Sequence, residues 1–138
     1  LTDALRSAFK LEETDAEAGK LVLDLRETMG QGVSDNPPLR VVQTATDELI
    51  RELRRSLNYL QTQNDATGPS KIDQIVLTGG GSKMQGLAEY LEQKLGVPTV
   101  SVGVFDNPLV AQPATVTDAG GEYTVAAGLA MRGFAKAA

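Results

Sequence analysis

Apolar residues recur at helical spacing through the first half of the chain. Leu1, Ala4, Leu5, Ala8 and Phe9 share one face and predict the tail of an amphipathic helix over residues 1–9. Thr14 followed by Glu17 has the pattern of a capping box. It predicts a second helix reaching about Met29, with Ala18, Leu21, Val22, Leu25 and Met29 as its apolar stripe. The stretch GQGVSDNPP (30–38) reads as loop. The longest helix is expected from Leu39 to about Gln63, turning Val42, Ala45, Leu49, Leu53, Leu57 and Leu60 inward, and NDATGPS (64–70) should break it.

The pattern then changes. QIVLT (74–78) is a short apolar run of strand type, and three consecutive glycines stand at its C-terminal end. Met84, Leu87, Ala88, Leu91 and Leu95 form another helical stripe, stopped by Gly96 and Pro98. Ser82 with Gln85 suggests a capping box that starts this helix just after the glycines. TVSVGVF (99–105) is rich in β-branched residues and predicts a second strand, completing a βαβ-like unit. Residues 106–121 are turn-rich, and EYTVAAGLAMRGFA (122–135) predicts a closing helix of small residues. The fold class is α/β.

Composition removes several chemistries. The 138 residues include no histidine and no cysteine, so the common zinc sites, Ser-His catalysis, thiol chemistry and disulfides are excluded. A net charge of −5 argues against a nucleic-acid partner. No apolar run approaches the roughly 20 residues that span a bilayer. The chain opens inside a helix without an initiator Met, so an excised piece of a longer protein is expected.

The candidate chemistry lies in TGGGSK (78–83). A phosphate loop of the G-x-x-x-x-G-K-[ST] type fails, because Ser82 separates Gly81 from Lys83 and no glycine stands five before Gly81. A dinucleotide fingerprint finds Gly79, Gly81 and a tempting acid at Asp106, but its third glycine falls on Met84, and Gly86 comes two positions late. A third reading is that bare backbone lets a flat base lie against the main chain at the strand end, with Lys83 laying its stem or charge over the ring. Against it stands a close-packed turn that binds nothing. The residues alone leave those two open.

The segment IDQIVLTGGGSKMQGLAEYLEQKLGVPT resembles the adenosine motif of the actin–Hsp70–hexokinase ATPases, and in particular the type IV pilus assembly protein PilM family, relatives of FtsA. LTDALRSAFKLEETDAEAGK (1–20) is similar to the helix pair opening the second actin-like lobe, ELRRSLNYLQTQ (52–63) to the family's helix before the adenosine strand, and EYTVAAGLAMRG (122–133) to its closing helix. The resemblance implies the second lobe (subdomains IIA and IIB) of an actin-like ATPase fold, truncated at its N-terminus. About 11–40 would form a smaller subdomain, and about 41–138 the adenosine-motif subdomain with the C-terminal helix. It implies a nucleotide site at Gly79, Gly80, Gly81 and Lys83, with Glu17 and Lys20 near ribose and base. By spacing alone, Glu17 and Lys20 also fit a solvated i,i+3 ion pair. Arg54, Arg55 and Ser56 are expected on an exposed helix face. Two departures stand out: Gln85 replaces a proline frequent in relatives, and Gly19 weakens its helix by about 1 kcal/mol relative to Ala.

The resemblance further implies a cytoplasmic scaffold, peripheral at the inner membrane, that uses ATP with Mg²⁺ and meets the pilus membrane protein PilN through the other lobe. No catalytic or metal-ligating residue is expected in this stretch, and the fragment alone should not hydrolyse ATP or bind nucleotide tightly. DAGGEYT (118–124) imitates a phosphate hairpin but reads as a turn. An open sheet edge at 74–78 or 99–105 would invite self-association. An FtsA-like or secretion-system scaffold lobe and a sugar-kinase-like enzyme lobe are the competing readings.

Overall fold

The computed structural model describes residues 1–30, 32–64, 72–108, 110–116, 118 and 120–135. Most of the break expected at 64–70 lies outside these residues. The chain divides into two compact units: residues 1–75 with 84–99, and residues 76–83 with 100–138.

The first unit holds α1 (Thr2–Phe9), α2 (Glu13–Val22), α3 (Pro37–Asn64) and α4 (Leu87–Leu95). α1 ends at Lys10, in a left-handed conformation (φ 54°), whose N–H donates to the Arg6 carbonyl. α3 begins two residues before the expected Leu39. Pro37 and Pro38 occupy its first turn, where no intrahelical N–H partner is needed. Asn36 precedes them, and its carbonyl accepts from Arg40 N–H at 2.8 Å. The loop before it is tied down by Gln43, which accepts from Ser34 N–H (3.1 Å) and donates to the Gly32 carbonyl (2.6 Å).

Two helix expectations need correction. α2 starts at Glu13 rather than being capped by Thr14, and it stops at Val22 instead of reaching Met29. Leu23 to Leu25 leave the helix because Asp24 forms a parallel bridge with Gln85, and Leu25 N–H donates to the Gln85 carbonyl at 3.0 Å. Leu25 to Thr28 then form a 3-10 turn. The buried face of α2 is Ala16 and Lys20, whereas Leu21 and Val22 are exposed. On α3 the buried line is Leu39, Val42, Thr46 and Ile50, so the covered face is rotated from the expected stripe, leaving Leu49 and Leu60 exposed. α4 follows the expected pattern more closely. Met84, Leu87, Tyr90 and Leu91 are buried, and Gly96 caps it at φ 70°. The Arg54 guanidinium, expected on an exposed face, donates to the Lys94 carbonyl at the end of α4. Tyr90 buries its ring and donates to Asp47 Oδ1 at 2.8 Å.

Strands β1 (Ile75–Leu77) and β2 (Thr99–Ser101) pair in the parallel pattern. Ile75 N–H donates to the Pro98 carbonyl within the first unit, and Val102 N–H to the Leu77 carbonyl within the second. β2 is shorter than the expected 99–105. Asp106 Oδ2 accepts from Gly103 N–H at 2.7 Å and curls Val104–Asp106 into a 3-10 turn. The second unit ends in a 3-10 turn over Gly121–Tyr123 and α5 (Thr124–Ala135). All ten fully buried apolar side chains among the described residues belong to the first unit. In the second unit the buried described residues are Gly103, Gly120 and Gly121.

Candidate nucleotide site

The three glycines leave β1 and enter a 3-10 turn over Gly80–Lys83. The helix does not start there: α4 begins at Leu87, capped by Gly86 at φ 73°. The Ser82–Gln85 capping box is therefore not made. Ser82 instead turns its hydroxyl back to the Gly79 carbonyl (2.7 Å), closing the turn on itself. Gln85 sends its side-chain amide to the Leu21 carbonyl (2.9 Å) within the first unit, a contact that a proline at that position would lack.

The glycines differ in what requires them. Gly79 sits at φ +85°, a conformation L side chains rarely adopt. Gly80 and Gly81 have no such constraint, and a methyl group on either would meet nothing within 4 Å. Neither local geometry nor close packing accounts for them. Gly86 is the opposite case, for a methyl there would stand 2.5 Å from Asp24 Oδ1 and 2.7 Å from the Arg26 backbone nitrogen. Its place two positions late in a dinucleotide fingerprint thus has a packing explanation. Asp106, the acid that fingerprint would need, is engaged with Gly103 N–H.

A second glycine turn packs against the first. Gly79 N–H donates to the Gly121 carbonyl at 2.9 Å, and a methyl on Gly121 would stand 3.0 Å from Ser82 Oγ. Ser101 Oγ donates to the Ser82 carbonyl at 3.2 Å. A cavity of about 160 Å³ opens between the turns. It is lined by Ser82 and Lys83, by Ser101 at the end of β2 with Val102 and Gly103 after it, and by Asp118, Gly120 and Gly121. Pockets for whole drug-sized ligands run to roughly 300–1,000 Å³, so this one suits a single ring system.

Lys83 carries the site's electrostatics. Its ammonium lies 2.8 Å from Asp118 Oδ2 and 2.6 Å from Glu122 Oε1. The hydrogen bond to Asp118, then that to Glu122, holds the Lys83 pKa well above its usual value. The same contacts hold both carboxyl groups below theirs, with Gly120 N–H adding to the effect on Asp118. All three are charged at neutral pH.

Glu17 and Lys20 stand on α2 in the first unit and meet each other there. Lys20 Nζ is 2.5 Å from Glu17 Oε1, and Thr2 Oγ1 donates to Glu17 Oε2 at 2.7 Å. The pair is not a solvated one, because the Lys20 side chain is only 3% exposed while that of Glu17 is 41% exposed. Gly79, Gly80, Gly81 and Lys83 lie on one turn within the second unit, and of these Lys83 lines the cavity. Sequence reasoning missed Asp118, Gly120, Gly121 and Glu122 as their companions. The 118–124 segment drew notice only as a false hairpin, and it does turn. Its signal was a glycine pair flanked by acids, legible only once tertiary structure sets it beside a lysine.

The α/β arrangement, with a glycine turn at the end of a parallel strand, fits an actin-like fold. Residues 1–134 match the model of the family described as Type IV pilus assembly protein PilM, and the chain belongs to that family. It is also similar to a chain of the solved structure described as a PilM-PilN type IV pilus biogenesis complex. The two are 31% identical with a TM-score of 0.65, over 96% of this chain and 35% of that one. This chain thus spans about a third of the length of that relative.

Proposed function

We propose that this chain is the adenosine-side, second lobe (subdomains IIA and IIB) of a PilM-like scaffold for type IV pilus assembly. Its turn over 79–83 receives the base of ATP. Phosphates and Mg²⁺ are held with the help of a first lobe outside this stretch, and so is the contact with PilN. In that setting the protein works at the cytoplasmic face of the inner membrane. No helix among the described residues is long and apolar enough to cross a membrane, which agrees with a peripheral role.

One observation carries the base site: Gly80 and Gly81 have no contact a methyl group would disturb, and they stand next in sequence to Ser82 and Lys83, which line a cavity sized for one ring system. A flat group laid on that backbone supplies a reason for glycine there. On α2, within the first unit, Lys20 is the buried pin that holds the Glu17 carboxylate. The test is nucleotide affinity of the full-length protein carrying Gly80→Val. A loss of about tenfold or more is expected, and unchanged ATP affinity refutes the assignment.

A further inference from the structure

Two carboxylates converge on one lysine at the rim of this cavity, a disposition that a simple surface ion pair does not need. Asp118 is held in place by its own backbone, since Gly120 N–H donates to its Oδ1 at 2.8 Å while Oδ2 takes Lys83. Glu122 reaches the same ammonium from the 3-10 turn that leads into α5. Lys83 therefore lines the cavity with its charge already matched. One cation against two carboxylates leaves the rim one formal negative charge. Resting on the base-site reading above, we infer that Asp118 and Glu122 set the ligand class of the cavity. By engaging Lys83 they match its charge and leave a net negative rim, which accepts a neutral ring and turns away anionic groups.

The chemistry follows from Coulomb's law at a half-open site. A phosphate near this rim meets a net repulsion that water only partly screens, and it finds no ammonium to neutralise it. A neutral base meets no such penalty. It lies against the backbone of Gly120 and Gly121, which line the cavity, and against the methylene stem of Lys83, whose head is already satisfied. The acids thereby orient a nucleotide: its base end enters here, and its phosphate end points elsewhere. Asp118 and Glu122 act through Lys83 as positioning residues rather than as ligand contacts.

The test uses the 138-residue chain, which contains the whole cavity. Amide resonances are followed during titration with adenosine, adenosine monophosphate and inorganic phosphate. For the unsubstituted chain, adenosine should shift Gly80, Gly81 and Lys83 with a Kd on the order of millimolar, the range expected for a ligand of one ring system and a sugar. The monophosphate should bind several-fold more weakly (roughly, by Coulomb repulsion at the rim), and phosphate should shift nothing at the turn. In Asp118→Asn/Glu122→Gln the ammonium is released at nearly constant shape. The preference should swing toward the monophosphate by about tenfold, the effect of turning a net negative rim positive, and phosphate should now perturb Lys83. In Lys83→Met/Asp118→Asn/Glu122→Gln the gain for the monophosphate should vanish. An unchanged preference in a folded double variant overturns the inference while leaving the base site standing. Absence of adenosine binding in every variant overturns both.

Discussion

Gly86→Ala should unfold the joint between α2 and α4, and its cost can be worked from three terms. Gly86 is buried, caps α4 and holds φ 73°, where an L residue loses roughly 1–2 kcal/mol. The new methyl would overlap Asp24 Oδ1 at 2.5 Å, Arg26 N at 2.7 Å and Arg26 Cγ at 2.8 Å. The two side-chain atoms can move aside, but the Arg26 nitrogen is backbone, so the whole segment must withdraw. Withdrawal breaks the Leu25–Gln85 backbone hydrogen bond, worth about 1 kcal/mol net. It also loosens Leu25, whose side chain is fully buried. The sum is about 3 kcal/mol, a large share of the roughly 5–15 kcal/mol that keeps a domain folded. Urea denaturation of the two chains measures it directly, and the melting temperature should fall by about 10 °C. Asp24→Ala in the same background should recover only part of the loss, because the backbone clash remains. A loss below about 1 kcal/mol for Gly86→Ala alone, half or less of the cost worked out above, refutes the reasoning.

Gly80→Ala and Gly81→Ala should do the reverse, keeping or raising stability by up to about 1 kcal/mol while weakening adenosine binding. A comparable loss of melting temperature would show that the turn needs its glycines for folding. Glu17→Gln should cost more than Lys20→Met, by roughly 1–2 kcal/mol, because it strips the ionic partner from the buried member of the pair rather than from the half-exposed one. Equal losses would mean that the packing of the Lys20 stem, not its charge, is what the site uses. Tyr90→Phe should cost about 1 kcal/mol in denaturation through the lost bond to Asp47, and a neutral result would place that bond outside the stability of the core. For pH, Asp24 is depressed by its hydrogen bonds to Arg26, and Asp118 and Glu122 by Lys83. Depressed folded values give stability that is present above the unfolded carboxylate range and lost as pH falls through the folded values. The melting temperature should therefore stay level from about pH 8 to 5 and decline below about pH 4. A fall between pH 7 and 5 would contradict this.

Local signals survived into the structure wherever local chemistry decides. Gly96 and Pro98 end α4 because a left-handed cap and a missing donor stop any helix, whatever surrounds it. Gly79 after an apolar strand run turns the chain for the same kind of reason. What failed was decided by contacts that the apolar pattern does not show. α2 stops early because Asp24 finds Gln85. β2 shortens because Asp106 captures Gly103 N–H, a bond that hydrophobic alternation does not register. The apolar arc of α3 is wider than the surface that covers it, so a stripe drawn through its leucines points about one residue off the buried line. Burial of Lys20 was equally hidden, since a lysine on a helix face normally reads as solvated until its partner is placed. At the candidate site, the turn was legible because consecutive glycines after a strand are a backbone signal. Its acidic rim was not, because Asp118 and Glu122 carry no periodicity that links them to Lys83.

Among the described residues of the second unit, the glycine turn stands without buried apolar side chains around it. Every fully buried apolar side chain among the described residues lies in the first unit, yet the glycine turn is bounded in sequence by residues of that unit on both sides. Ile75 precedes it, hydrogen-bonded to Pro98, and Met84, 3% exposed, follows it. Ile75 and Met84 thus bound the segment, and between them stand only eight residues, 76–83. Over that short span the chain closes on itself through Ser82 and Gly79 rather than through side-chain burial. The turn is thus held by its own backbone and hydroxyl hydrogen bonds. The consequence is a separation of effects by position: substitutions at Met84 or Gly86 act on folding, whereas those at Gly80, Gly81 or Lys83 act on what the cavity accepts.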